Sequence, residues 1–475
     1  MRFLSASLVA LLLPAVGLAQ TVELDVYEDV DGEPIPLVGP VEGTYTETFG
    51  VKAASVVYDP TGEEGAGEYV MYFEARLAND DVTELFDSEM YEGCQLPNGN
   101  YIVWVIGRAT SPDGVTGWVI DPEPVLLPEA GSYYGCHAAQ PAVIRDDEGL
   151  WHMWFKGQQA FGPCPDDAEQ SPWGCIPATG FGYATSADGV SWSVSDEPML
   201  TTDDLNAVDG VTGSAGSFGF PRVIFDEDTW HLWYTLVPNI YRATSAAPGE
   251  GWVVEPSPAI GPEGFGWRSD RVFNPAMACE ENVSLSSPYA YTMFFGGKTS
   301  QAAEESGLGM ALSFEGENWV FPAGNPLRVW ESNDTRWDPW DVVKVESDYL
   351  LYFTKAADPL VDAPVGPWKI GFAATTDMWD DADVGNKMCN VPATPGETET
   401  PPEETETPPE ETETPPEETE TPPEETETSP TDTGIDDLGP RVRGGCGCAS
   451  VPAGSPAMLL PLLPAIGLLR RRRRG

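Results

Sequence analysis

The chain has 475 residues, of which 77 are Asp or Glu and 24 are Lys or Arg, so its net charge is −53. Such a negative surface repels phosphate polymers, which excludes nucleic acid as a favoured partner. It suits neutral or cationic ligands, calcium among them, although an acidic surface also serves solubility alone.

The first 19 residues have the order of a secretory signal peptide. Arg2 is followed by the apolar run Leu8–Leu13 and then by the small residues of Gly17–Ala19. The apolar run is too short to span a membrane. We therefore expect residues 1–19 to be removed and the rest of the chain to be exported. The alternative is a buried N-terminal strand.

Residues 20–392 contain one pattern five times: an aromatic-rich strand, a variable loop, and a short strand that ends in a turn and a Trp. In the second copy these parts are Trp151–Phe155 and Gly182–Trp192. A unit of this length cannot bury both faces of its sheet alone. Stacking five such units around an axis predicts an all-β fold, a five-bladed β-propeller. Residues 22–45 would either add a strand to the last blade or cap it.

Each predicted blade begins with an inner strand, and in four blades a proline precedes its apolar run. These strands are Ala53–Val57, Gln140–Ile144, Phe220–Ile224, Asn274–Met277 and Asp338–Val342. Two blades also carry a Ser-x-Asp-Gly turn, in which both central residues tolerate positive φ. A single active site cannot use a repeated turn, so we interpret these turns as structural. The same reasoning makes His152 and His231, which share one repeat position, packing residues.

Six cysteines lie in the body that we expect to be exported, where disulfide bonds are stable. Cys164 and Cys175 close a short loop, so we expect them to pair with each other. The remaining pairs then follow by elimination: Cys94 with Cys136, and Cys279 with Cys389.

The composition changes abruptly at residue 393. A Pro-Pro-Glu-Glu-Thr-Glu-Thr unit recurs between Pro401 and Thr428, and residues 393–437 hold 17 acidic residues and no basic one. These units have no aromatic or aliphatic side chain with which to form a core. We therefore expect residues 393–440 to be a disordered, extended stalk.

Residues 441–475 combine three features in order: Cys446, Gly447 and Cys448, then the apolar stretch Pro456–Leu469, then the block Arg470–Arg474. The arginines should stay in the cytoplasm, which places the body outside. This order closely resembles the C-terminal sorting signals of myxobacterial surface proteins, the class called MYXO-CTERM.

The resemblance implies a sorting protease that acts near Cys446 and at least transient membrane association. It also implies delivery to the cell surface or outer membrane, or release from it. The alternative, an ordinary tail anchor, places the body outside as well.

The repeated units, with Gly-x-Ala-Thr-Ser and Asp-Gly-x-x-Trp, resemble the five-bladed propellers of glycoside hydrolase families 43 and 32 over about residues 50–380. The resemblance implies a carbohydrate ligand and catalytic carboxylates on the inner strands of the first three blades. At the matching positions this chain has Ala53, Gln140, and Gly219 or Phe220, none of which is a carboxylate. This departure argues against the hydrolytic mechanism of those families.

Other residues near the hub, where inner strands meet, could still bind or process a sugar. Asp338 with Asp270 or Glu74 is the candidate acid/base pair of a rearranged site. Trp337 and Trp340 flank Asp338 and could stack on a sugar. The candidate ligand contacts are His137, Gln140, Arg271, Asn274, Trp337, Trp340 and Asp341. Alternatively these groups pair with one another, and a simple Asp270–Arg271 salt bridge is the favoured interpretation of that pair.

Three functions remain open. The favoured one is a surface-displayed carbohydrate-binding propeller without hydrolytic activity. The alternative is an active glycosidase or related lyase, which needs two hub carboxylates about 5 to 9 Å apart. The second alternative is a structural or adhesive surface module, which an occluded hub would favour. No cofactor is assigned, and calcium is the one candidate.

Overall fold

The computed structural model describes residues 24–26, 37–62, 67–85, 93–95, 99–159, 179–211, 218–263, 266–279, 289–299, 306–330, 337–345, 348–355 and 369–375. All of them lie in one compact unit, Met1–Pro401. They form 22 strands and two short α-helices, α1 (Asn79–Leu85) and α2 (Thr202–Asn206). The all-β prediction is confirmed. Within the described part of the chain, no helix is long and apolar enough to cross a membrane.

The strands follow one another in antiparallel groups, after a first short strand β1 (Leu24–Val26). The first group contains β2 (Val51–Asp59), β3 (Glu68–Arg76), β4 (Trp104–Ser111) and β5 (Val119–Ile120). The second contains β6 (His137–Arg145), β7 (Trp151–Gln158), β8 (Thr179–Ser186), β9 (Ser193–Val194) and β10 (Leu200–Thr201). The third contains β11 (Phe218–Asp226), β12 (Thr229–Leu236), β13 (Asn239–Ser245) and β14 (Val253–Val254).

Two further groups complete the fold. The fourth contains β15 (Arg271–Cys279), β16 (Tyr291–Lys298), β17 (Ser306–Ser313), β18 (Trp319–Val320) and β19 (Arg328–Trp330). The fifth contains β20 (Trp337–Val345), β21 (Asp348–Lys355) and β22 (Ile370–Thr375). A single parallel bridge between Trp104 and His137 joins the first two groups into one nine-stranded sheet.

The first strands of the groups contact one another in a cycle. Each of β2, β6, β11 and β15 contacts the first strand of the next group, and β20 contacts β2. The N-terminal strand β1 pairs with β22, with Leu24 opposite Thr375. Of the two alternatives for residues 22–45, the structure therefore shows the first: they add a strand to the last group.

The apolar core is divided among the junctions between neighbouring groups. Each of five buried clusters draws most of its side chains from two successive groups. One cluster brings Met71 of the first group together with Tyr352 of the fifth. Because each sheet buries its faces against its neighbours, no group forms a complete core alone.

The repeated aromatic strand and the repeated turn meet between groups. Tyr72, the fourth residue of its aromatic strand, donates through Oη to Gly189 O in the turn of the next group at 2.7 Å. Tyr352 in the fifth group makes the matching bond to Gly114 O of the first group at 3.0 Å. Two more contacts of this kind join Trp154 to Pro248 and Trp233 to Gly316. The turns are thus structural, as the repeat indicates.

Four first strands bulge at the same place. There a non-glycine residue has a positive φ of 52 to 61°, at Ala53, Gln140, Phe220 and Asn274. The pairing with the second strand shifts at each of these points. Such a bulge turns a backbone N–H out of the ladder and re-aims the side chains around it.

In the fifth group, the strand register does not match the alignment of prolines that the sequence suggests. Asp341 pairs with Tyr352, just as Ala142 pairs with Trp154 in the second group. Pro339, and not Asp338, therefore stands at the position of the bulged Gln140. The expected match of Asp338 to that position was wrong by one residue, because the proline lies two residues before Asp341 but only one residue before Ala142.

Cys94 and Cys136 form a disulfide bond with a Cα–Cα distance of 5.5 Å, which confirms that predicted pair. Cys279 is also disulfide-bonded. Its partner, the expected Cys164–Cys175 pair, Cys389, the stalk and the sorting motif at residues 446–448 lie outside the described residues.

Candidate functional site

One end of the fold collects most of the candidate residues. It consists of the starts of the five first strands and the ends of the second strands, which meet because each pair is antiparallel. We call this end the hub face. The bulges of the first strands lie just below it.

A buried carboxylate stands at the centre of the polar contacts here. Glu74, 2% exposed, forms an ion pair with Lys52, with 2.8 Å between Lys52 Nζ and Glu74 Oε1. Its second oxygen, Oε2, accepts a hydrogen bond from the bulged backbone N of Gln140 at 2.9 Å. Both oxygens of Glu74 thus have donors, which fixes the carboxylate and ties the first group to the second.

Three more nitrogen-bearing side chains surround this pair. The pKa of the Lys156 ammonium is lowered to about 8 in total. Burial is the largest cause and the charge of Lys52 adds to it, while Glu74 opposes the shift. Burial also lowers the pKa of His137 well below its usual value, helped by the charges of Lys156, Lys52 and Arg76. His137 is therefore neutral at pH 7. We call Lys52, Glu74, Arg76, His137 and Lys156 the cationic cluster.

Arg76 and Trp104 form the outer edge of this cluster. Arg76 donates through Nη2 to Tyr101 O at 3.2 Å, and its guanidinium lies 4.4 Å from the centre of the Phe49 ring. Lys52 Nζ lies 4.4 Å from the centre of the Trp104 ring. An arginine stacked in this way keeps its charge and a fixed direction.

Side chains of one group satisfy the backbone donors that the bulges of the next group release. Gln140 Oε1 accepts from Phe220 N at 2.8 Å, and Thr235 Oγ1 accepts from Asn274 N at 3.0 Å. Gln140 and Asn274 are only 8% and 3% exposed. Gln140 was expected to contact ligand, but its amide oxygen serves the fold instead.

Gly219 is one of the two positions, with Phe220, at which the resemblance implies a carboxylate. A Cβ at Gly219 would lie 2.5 Å from Gln140 Oε1 and 3.5 Å from Lys156 Cδ. The space next to this backbone is therefore already used by the two side chains from the second group. A glutamate could not be accommodated here without displacing them.

Below the hub face, a buried arginine fills the centre. Arg222, 1% exposed, donates to backbone carbonyl oxygens on four first strands. Its partners are Ala54 at 3.0 Å, Pro141 at 3.1 Å, the neighbouring Pro221 at 2.5 Å, and Trp340. Burial lowers its pKa to about 10, although Asp341 and Glu74 oppose the shift. It remains charged at neutral pH.

Arg222 was missed by the sequence analysis, although the register offers a signal. The equivalent residues of the other first strands are Ser55, Ala142, Ala276 and Asp341, so Arg222 is the one basic residue of the set.

Two expected ligand contacts are buried in this lower layer. Asp341 is fully buried and accepts from Val56 N at 2.7 Å and from Val342 N at 3.0 Å. Trp340, 3% exposed, packs on Phe220 with ring centres 5.1 Å apart. We correct both assignments: these side chains join strands and do not present a surface to a sugar.

The remaining candidates are spread over the hub face. Asp270 and Arg271 form an ion pair with 2.9 Å between Oδ2 and Nε, as the favoured interpretation had it. Asp338 is half-buried opposite Thr354 in the fifth group. The side chain of Trp337 lies outside the described residues. The three candidate catalytic carboxylates thus stand on three different groups, and ion pairs hold two of them.

No metal centre is found in the described ranges, where no three His, Cys, Asp or Glu side chains are placed to hold an ion.

No protein-family model matches the chain, and no curated protein matches its sequence. Solved structures do match. A glycosyl hydrolase from Bacteroides ovatus is 14% identical with a TM-score of 0.50, covering 77% of this chain and 97% of its own. A candidate glycosidase from Bacteroides thetaiotaomicron is also 14% identical with a TM-score of 0.50, covering 75% of this chain and 97% of its own. This chain therefore shares their fold, which does not by itself assign an activity.

Proposed function

We propose that this chain is a five-bladed β-propeller that binds carbohydrate at its hub face without hydrolysing it. The cycle of first strands supports the propeller, and so does the Tyr352–Gly114 bond between the last and first groups. The shared fold with two bacterial proteins described as glycoside-cleaving supports a carbohydrate ligand.

One observation carries the absence of hydrolysis: the inner-strand positions that the resemblance assigns to catalytic carboxylates are Ala53, Gln140, and Gly219 or Phe220, and none of them is a carboxylate. Hydrolysis needs one carboxyl group to donate a proton and another to act as base or nucleophile. Glu74 is engaged by Lys52 and by the Gln140 backbone, and Asp270 by Arg271. The third candidate carboxylate, Asp338, stands in the fifth group, apart from the groups that carry Glu74 and Asp270.

The protein would act outside the cell. The signal sequence at residues 1–19, the acidic stalk at 393–440 and the sorting motif at 446–448 support export and display on the surface. A propeller at the end of a long stalk would meet glycans at a distance from the envelope.

The test is a glycan array with the purified full chain, run beside a hydrolysis screen on arabinan, xylan, fructan and mannan. We expect binding without turnover. Turnover would contradict the proposal and favour the second candidate, a glycosidase with a relocated acid/base pair. In that case Asp338→Asn should abolish turnover. Failure to bind any glycan would favour a structural surface module.

A further inference from the structure

The cationic cluster is rich in basic side chains, whereas the chain as a whole is strongly acidic. Between residues 20 and 392 the sequence has 60 acidic and 16 basic residues. In the cluster, Lys52, Arg76 and Lys156 stand with Glu74 as the one acidic member. Grouping cations that repel one another costs folding free energy. A chain so rich in carboxylates could have neutralised them.

Lys156 is the cation of the cluster that Glu74 compensates only in part. Lys52 has Glu74 as its ion-pair partner, and Arg76 rests on Phe49 and Tyr101 O. For Lys156, no carboxylate in the described part of the chain lies within ion-pair distance. Its lowered pKa reports the same condition, because burial and Lys52 outweigh the attraction of the more distant Glu74.

The position of the Lys156 side chain is nevertheless defined by its neighbours. Lys156 lies opposite Ala139 in the second group, and its aliphatic chain passes close to Gly219 of the third. A Cβ at Gly219 would lie 3.5 Å from Lys156 Cδ, an ordinary van der Waals contact, so the two residues are direct neighbours across the junction. The charges of Lys156 and Arg76 both act on His137, so the ammonium and the stacked guanidinium belong to one cluster, and two such cations can bind an oxyanion.

We propose that the hub face recognises the carboxylate of an acidic sugar, with Lys156 and Arg76 as its two cationic contacts. This inference rests on the proposed carbohydrate-binding function and specifies its ligand class. A sugar carboxylate supplies the negative charge that the cluster lacks, and the ring carries hydroxyl groups for the polar groups nearby. A neutral sugar would leave the charge of Lys156 uncompensated. Free inorganic phosphate has related chemistry but lacks the ring.

The experiment uses the full chain on an array of uronic- and sialic-acid glycans, each printed beside its methyl ester, which removes the charge and keeps the ring. Titration calorimetry then measures the best acid, its ester and inorganic phosphate alone. We expect the acid to bind at least about tenfold more tightly than the ester, since a charge-assisted contact contributes on this scale. Added salt should reduce that difference.

Three variants test the residue assignment. Lys156→Met keeps the length of the side chain and removes the charge, so it should bring the affinity for the acid down to that for the ester. Lys156→Arg should retain most of the preference. Lys369→Met changes the same charge at an exposed position and should have no effect. Thermal unfolding of each variant separates loss of binding from loss of folding.

Each outcome has one meaning. A preference for the acid that Lys156→Met removes would support the inference. Equal binding of acid and ester would overturn it and leave the proposed function standing. Binding of phosphate with no preference for an acidic glycan would also overturn it. If no glycan binds at all, the proposed function itself fails.

Discussion

Lys156 shows how one side chain can oppose stability and serve binding. Its side chain is partly buried, its ammonium is influenced by the charge of Lys52 and acts on the neutral His137, and Glu74 compensates it only in part. Residues of this kind are found where function requires a group that the fold alone would not select. At the neighbouring Gly219 the absence of a side chain matters, because a Cβ there would lie 2.5 Å from Gln140 Oε1.

Removing the charge of Lys156 should stabilise the protein. Its pKa of about 8 in the folded state lies below the 10.5 of an unperturbed lysine, so the unfolded chain binds more protons between these values. Stability from this group therefore rises with pH, and the burial penalty is complete below pH 8. Lys156→Met should raise the unfolding free energy at pH 7 by about 1 to 2 kcal/mol.

Urea unfolding of the wild type and Lys156→Met at pH 7 and pH 10 measures this effect. The difference between the two proteins should shrink as the pH approaches 10, where the folded wild type has lost the proton. A variant less stable than the wild type at pH 7 would show that the ammonium has a partner that stabilises it.

Gly219→Ala should destabilise the fold. The added methyl group would approach Gln140 Oε1 to 2.5 Å and disturb the bond that this oxygen accepts from Phe220 N. Overpacking of this kind costs about 1 to 3 kcal/mol. Gly39→Ala is the matched control, since its nearest contact would be Lys369 Cγ at 3.5 Å. Equal melting temperatures for the two variants would contradict the tight approach at Gly219.

At the scale of elements, the repeated unit joins each group of strands to the next. The aromatic strand supplies a ring that fills the junction and a polar tip that reaches the next turn. The turn supplies the carbonyl oxygen, and its Asp stays charged because backbone N–H groups hold it. In the turn of the second group, bonds from Ser191 and Val190 lower the pKa of Asp188 to about 2.

Tyr352→Phe tests the junction between the last and first groups. It removes the bond to Gly114 O and leaves a buried carbonyl without that donor, which should cost about 1 kcal/mol. Tyr72→Phe, at the first junction, should cost a similar amount, and the two losses should add. Tyr289→Phe serves as the control, since that ring packs on Phe314. If Tyr352→Phe matched the control in urea unfolding, the last and first groups would not be joined in solution.

The sequence predicted the elements better than the site, for a physical reason. Aromatic and β-branched residues recur at the repeat spacing, so the second and third strands could be read from periodicity. The register shifts at the bulges cannot be predicted from the spacing of residue types. The extra residue in β6 and the shorter shift in β20 decide which side chains reach the hub face, and Asp338 was misplaced by that single residue. Lys156 lies at the end of a packing strand, where periodicity assigns no function.

At the scale of the whole molecule, Arg222 replaces an apolar core at the centre. Backbone carbonyl groups from several first strands converge there, and a buried carbonyl needs a donor. One guanidinium with five N–H groups can serve several of them at once. The occupied centre also limits ligands to the hub face above it.

Arg222→Met should cost about 3 kcal/mol or more in unfolding free energy, since it leaves several buried carbonyl groups without a donor. Arg145→Met is the control. Arg145 makes a partly buried ion pair with Asp59 at 3.5 Å, a long distance, which should contribute about 1 kcal/mol or less. Comparable losses in chemical unfolding would show that water or neighbouring strands replace the Arg222 contacts.

The pairing of β1 with β22 has a consequence for how the chain is made. Among the described strands, β1 is synthesised first and β22 last, so this sheet cannot be completed before residue 375 has been synthesised. Until then β1 has no partner, and the edge of every growing intermediate is open to other chains. The pairing of β1 with β22 is therefore a late step in folding, after all the other described strands have been made.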